Sequence, residues 1–338
     1  MNTLRPESFG HAPDGTPVQR IALRGGGLTA HVLTLGGIVQ DLRLDGVDHP
    51  LVVGAQTLAP YLGPLRYTGA LCGRFANRIA GARFDLGGQH FDLSANFLGR
   101  HCLHGGASGM NAQVWSLADL SGNAVTLTLT SGDDDMGFPG RLTISARISL
   151  DEGAALAFDI QARTSAPTPV SITHHGYFNL DGGGDVAGHR LRVLAKTALS
   201  VDAEGIPIGG PQPVAGTRLD FRADRPIGAE ALDHNFCLAD RRGPLRRAAC
   251  LSGARSGIAM DVHTTEPGLQ IYNGTHLPAD LPGLNGPLGP RPGLALEPQA
   301  WPDAPNRPDF PDAILHPGQT YRHQIRYVFH RLSTGLAA

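Results

Sequence analysis

The sequence predicts an all-β protein, a large antiparallel β-sandwich with few short helices. Three observations carry that prediction. Short stretches alternating apolar and polar residues recur along the chain. Gly 45 and Pro 26 together make about a fifth of its 338 residues, a content that interrupts helices. No segment repeats apolar residues at helical spacing over three turns. Period two with one apolar face is the pattern of half-buried antiparallel strands.

Taken in chain order, Leu86-Gly87-Gly88 reads as a tight turn. Val125-Thr126-Leu127-Thr128-Leu129-Thr130 alternates throughout, Leu142, Ile144, Ala146 and Ile148 alternate with Thr, Ser and Arg, and Leu156, Phe158 and Ile160 repeat the pattern. Asp181-Gly182-Gly183-Gly184 is a second turn. Residues 226–232 have room for one helical turn. Residues 278–317 are too rich in proline for regular structure, yet apolar enough to form an ordered wall packed on the sandwich. The last strand is Tyr321-Arg322-His323-Gln324-Ile325-Arg326-Tyr327-Val328-Phe329. No internal repeat is visible, and residues 1–338 read as one domain.

Composition excludes several classes. With 41% hydrophobic and 17% charged residues the chain is globular. A formal net charge of −2 leaves no electrostatic footprint for nucleic acid or an anionic membrane. Cys72, Cys102, Cys237 and Cys250 form no CxxC pair and suit free thiols in a reducing compartment. No signal peptide is visible at the N-terminus, and no run approaches the about 18 apolar residues of a membrane helix. A cytoplasmic location is the expectation.

Four islands carry chemistry. In Gly73-Arg74-Phe75-Ala76-Asn77-Arg78-Ile79, two arginines flank an asparagine and offer planar donors to vicinal hydroxyls or carboxylates. After Asn96, Leu103-His104-Gly105-Gly106 sets a histidine where bare backbone can approach a ligand. His101 and His104 lie three apart, but no cysteine or acid completes a ligand pattern, so no metal is expected. Thr173-His174-His175-Gly176-Tyr177-Phe178-Asn179-Leu180 holds two adjacent histidines that point to opposite faces of a strand. Asp233-His234-Asn235-Phe236 and Leu296-Glu297-Pro298-Gln299 supply carboxylates. An apolar setting raises the pKa of Glu297 and makes it a better proton acceptor. Trp301 reads equally as a sugar-stacking ring or as core.

In this order the islands, joined by Gly132-Asp133-Asp134-Asp135-Met136-Gly137-Phe138-Pro139-Gly140, Gly216-Thr217-Arg218-Leu219-Asp220-Phe221-Arg222 and Gln270-Ile271-Tyr272-Asn273-Gly274, resemble the aldose 1-epimerase (galactose mutarotase) family along nearly the whole chain. The resemblance implies the galactose mutarotase-like supersandwich and an enzyme interconverting the α and β anomers of free aldoses. It matches Glu297 to the general base, His175 to the general acid and His104 to a second histidine near the ring oxygen. Arg78 and Asp233 match residues holding substrate hydroxyls, with Asn77 and Tyr177 in the same motifs as further binding residues. Arg74 is the less favoured of the two arginines. His174, Ile208 and Gly99-Arg100-His101-Cys102 depart from the family pattern at pocket edges and bear on substrate identity.

The expected partner is a small aldose (galactose, glucose or a pentose), with no cofactor, in a monomer or homodimer. The expected pH profile is a bell, falling as Glu297 gains its proton and as His175 loses its own. Rival readings are a hydrolase built on Asp233 and Glu297, a non-catalytic sugar-binding module, and a hexose-6-phosphate epimerase using Arg241-Arg242 or Arg246-Arg247.

Overall fold

The four alternating stretches lie next to one another in a single antiparallel sheet. In the computed structural model, which describes residues 5–332, they are strands Ala124–Ser131, Leu142–Asp151, Ala155–Thr164 and Tyr321–Arg331, hydrogen-bonded in that order. Ser116–Leu120 extends the sheet on one side. Ile258–Thr264, Arg246–Ser252, Arg190–Val193 and Arg225–Pro226 extend it on the other, to nine strands. Alternation sets the faces: Tyr321, His323, Ile325, Tyr327 and Phe329 are buried, while Arg322, Gln324 and Arg326 are exposed.

A second sheet has six strands, in the order Tyr177–Phe178, Leu294–Gln299, Gly268–Tyr272, Asp233–Cys237, Thr197–Ala198 and Gln212–Pro213. A third has four: Glu7–His11, Pro17–Gly25, Leu28–Leu33 and Val39–Leu44. Phe158 and Tyr327 from the first sheet, Phe178, Phe236, Ile271 and Leu296 from the second, and Leu23 and Leu42 from the third belong to one buried apolar cluster. The molecule is therefore an all-β antiparallel sandwich, as the sequence predicts. Helical structure among the described residues is five 3₁₀ segments of three or four residues each. The Leu86-Gly87-Gly88 turn joins Arg83–Leu86 to Gln89–Asp92, with φ of +60° and +78° at its glycines. Two positive φ values at the turn centre are what a twisted two-residue hairpin requires.

Two expectations fail. Residues 226–232 hold no helical turn. Pro226 pairs with Arg190 in the nine-stranded sheet, and Gly228 at φ +85° turns the chain away from helical geometry. Residues 278–317 are not without regular structure, because Leu294–Gln299 is a fully buried strand inside the six-stranded sheet. Its Pro298 lies beyond the two residues paired with Tyr177–Phe178, so at that point the strand has a neighbour on one side only, where sheets tolerate proline.

All four cysteines are free; Cys250 is half-buried and the other three are buried. No helix among the described residues is long and apolar enough to cross a membrane.

Candidate active site

Strand register assembles the acidic half of the site. Asn235, Gln270 and Glu297 lie side by side across three strands, and Asp233, Tyr272, Ala295 and Tyr177 form the next row on the same face. The alternate residues Phe236, Ile271, Leu296 and Phe178 point the other way into the core. One face of the sheet thus anchors the sandwich and the other carries the carboxylates.

His175 enters from the segment that crosses this face. Its neighbour His174 points oppositely, stacking on Phe158 at 4.4 Å inside the core, which is the split the adjacent pair predicts. His175 Nε2 comes within 3.4 Å of Glu297 Oε1, with both side chains at most 5% exposed. His104 completes the cluster, its ring 5.1 Å from that of His175. His104 and Asn77 both sit at positive φ, where the hairpin between Arg78–Ile79 and Cys102–Leu103 begins and ends. The Asn77 N–H donates to His104 Nδ1 at 3.2 Å. A neutral ring accepting at Nδ1 carries its proton on Nε2. Asn96 holds the hairpin by accepting from Leu103 N at 2.7 Å and donating to its carbonyl at 2.9 Å.

At the mouth, Arg78 donates to Asp233 Oδ2 at 3.1 Å, and Asp233, with 35% of its side chain exposed, is the most open of these groups. Gln270 donates to the other Asp233 oxygen. Tyr177 packs against His175 at 5.0 Å between ring centres. All seven residues named from the sequence therefore fall in one constellation.

Sequence reasoning missed three others. Gln270 carries one local signal, as the polar residue set between Leu269 and Ile271 in a short apolar run. Tyr67, whose ring lies 4.8 Å from His104 and 6.1 Å from His175, and Phe97, 4.8 Å beneath the Arg78 guanidinium, sit in loops without a periodic signal.

Burial sets the electrostatics. It pushes the Glu297 carboxyl well above the usual range, helped by the nearby Asp233 charge. It pulls His175 down to about 4 and His104 well below its ordinary value. Both members of the pair thus favour their neutral forms, the opposite of the ionised base and protonated acid assumed for the simple bell. The ligating atoms of His104, His175 and Glu297 all lie within 4.8 Å of one another, a donor set of the kind that holds transition metals. Against that use, the Nε2 of His104 bears the proton while its Nδ1 accepts from Asn77.

The remaining candidates lie elsewhere. Arg74 is buried and donates to Ser131 Oγ, to the carbonyls of Pro139 and Gly140 at 3.0 and 2.7 Å, and to that of Gly132. It holds the loop at 132–140. Trp301 is core, donating to the Pro267 carbonyl and packing edge-on against Phe310. Gly105 does let backbone approach closely, but what it approaches is Gly73, whose carbonyl oxygen would lie 2.0 Å from an added Cβ. Arg242, Arg246 and Arg247 are engaged by Glu266 and Asp261, not by site residues. Ile208 is exposed.

The aldose 1-epimerase family model matches residues 19–328. The galactose mutarotase of Mus musculus is 36% identical over 335 residues, covering 95% of this chain and 97% of the relative. The aldose 1-epimerase of Escherichia coli K12 is 34% identical, covering 94% and 97%. Among solved structures, an aldose epimerase homologue from C. elegans superposes with a TM-score of 0.87 at 27% identity, covering 94% of this chain and all of that one. A galactose 1-epimerase from Lactobacillus acidophilus superposes at 0.84 with 25% identity, covering 98% and 100%. Matched by the family model from the second strand to the last and by relatives over nearly its full length, the chain belongs to the aldose 1-epimerase family.

Proposed function

We propose that Glu297 and His175 are the proton-transfer pair with which this aldose 1-epimerase interconverts sugar anomers. The observation that carries the assignment is their 3.4 Å approach in a buried site whose mouth holds the Arg78–Asp233 pair. Glu297 takes the proton of the C1 hydroxyl while His175 delivers one to the ring oxygen, and the C1–O5 bond breaks to leave the open aldehyde. Rotation about C1–C2 presents the other carbonyl face. Reclosure returns a proton from Glu297 to O1 and one from O5 to His175.

The pair keeps a single proton throughout. Before opening it is carboxylate and imidazolium; beside the aldehyde it is carboxylic acid and neutral imidazole. Burial favours that second, uncharged arrangement, so the fold stabilises the pair as it stands at the ring-opened stage. The Nε2–H of His104 is a neutral donor suited to the ring oxygen as charge develops there. That tautomer supports a proton-handling role for the three-residue cluster over a metal site. Arg78, Asp233, Asn77 and Tyr177 hold the unreactive hydroxyls and the ring.

The family match over residues 19–328 supports a single catalytic domain, and four free thiols suit the cytoplasm. The substrate is a free aldose, with galactose, glucose and the pentoses as candidates. Polarimetry of freshly dissolved α-D-galactose and α-D-glucose tests the proposal. The protein should speed the approach to an unchanged final rotation, and His175→Asn should abolish the effect. Full activity in His175→Asn removes His175 from the mechanism. No acceleration of either hexose, nor of xylose or arabinose, overturns the choice of free aldoses.

A further inference from the structure

We infer that the turn at 202–206 is a positioning device for Arg78, with Gly205 as its contact and Glu204 as its anchor. The inference rests on Arg78 holding substrate hydroxyls, as proposed above. The Arg78 guanidinium is bounded by the Phe97 ring, 4.8 Å from its central carbon, and by Gly205. A Cβ added at Gly205 would lie 2.8 Å from that same carbon, so bare backbone touches the cation. Gly205 also sits at φ +76°, where glycine is favoured for its own sake.

The turn is built to stay in place. Asp202 Oδ1 accepts from the N–H groups of Glu204 and Ile206, each at 2.9 Å, and the Asp202 carbonyl accepts from Gly205 N at 3.1 Å. The Glu204 carboxylate then reaches the neighbouring loop, accepting from His101 Nε2 at 2.9 Å and from Arg100. Buried His101 accepts from Gly81 N at Nδ1, while its Nε2 faces Glu204 and lies 3.2 Å from Arg100 Nε. Beyond the turn, Arg307 donates to the carbonyls of Pro207 and Gly209 at 3.3 and 2.7 Å. None of these fasteners touches the catalytic pair.

Freed from His101, the turn no longer backs Arg78, and the ion pair with Asp233 loosens. Arg78 is assigned to hydroxyls that do not react, so the loss falls equally on bound substrate and transition state, raising KM and sparing kcat. Glu204→Ala should raise KM roughly tenfold with kcat within about twofold, because small misplacements of a substrate-holding group carry large penalties. Glu204→Gln, which keeps an acceptor oxygen toward His101, should recover most of the loss. Melting temperatures of both variants show whether the fold survives. The inference is overturned by an unchanged KM in Glu204→Ala, by a fall in kcat matching that in kcat/KM, or by a Glu204→Gln as impaired as Glu204→Ala. Wild-type protein inactive on every aldose overturns the proposed substrate class instead, a result that precedes and is distinct from these.

Discussion

At the scale of single residues, the proposed mechanism rests on one proton shared by two groups that burial drives toward neutrality. Glu297→Gln keeps the shape and removes the basicity. It should lower kcat by roughly 10²- to 10⁴-fold, the usual yield of a positioned proton transfer, with little change in KM; steady-state polarimetry of the variant checks it. The pH dependence follows from the directions of the shifts. On the acid side the pair gains a second proton on His175, which burial holds at about 4. On the alkaline side it loses its last proton from Glu297, which burial holds well up. The one-proton state therefore lies between the lowered His175 and the raised Glu297. A plot of kcat/KM against pH should show a broad plateau with its acid limb below the ordinary histidine value. A narrow optimum with an acid limb near 6.5 would contradict the burial argument.

At the scale of elements, the six-stranded sheet does two jobs with one alternation. Leu296 faces the core while its neighbour Glu297 faces the site. Leu296→Ala should cost about 2–5 kcal/mol of stability, as buried leucine truncations do, while the folded fraction keeps its kcat. Denaturant unfolding alongside activity measures both. The segment carrying His175 is fixed from the other sheet. Arg242 donates to the Val170 carbonyl at 2.9 Å, and the Ile172 carbonyl is 2.8 Å from His323 Nδ1 while its N–H donates to Tyr321 Oη at 3.1 Å. Glu266, fully buried, holds Arg242 and accepts from Tyr321. This network explains why Arg242, which in sequence looks like part of a solvated basic loop or a phosphate site, serves instead to place the segment that leads to His175.

At the scale of the whole molecule, acid should weaken the fold before carboxylates titrate. Burial lowers His104, His174, His175, His189, His234, His263 and His323, with His174 reaching about 3. Between the ordinary value of 6.5 and these depressed values, the unfolded chain binds protons that the folded chain refuses. Stability is thus present above 6.5 and is lost as pH falls through the window below it. The melting temperature should drop between pH 7.5 and 5, and a melting temperature equal or higher at pH 5 would falsify this account. The raised Glu297 acts in the opposite sense, binding a proton in the folded state that the unfolded chain releases.

Much of this is legible in the order of the amino acids. The four alternating stretches mark strands in their places, because alternation depends only on residues two apart meeting the same surface. The order of short motifs points to the residues of the site, and the adjacent histidines have to face opposite ways. Other features are decided by packing. Which arginine reaches the site, whether Trp301 stacks on sugar or fills core, and how Pro298 sits in a buried strand all depend on which segments meet, and no local pattern records that. The preference of Glu297 and His175 for neutrality likewise arises only when the site closes around them. Desolvation is a property of the surroundings in space, and those surroundings come from strands distant in the chain.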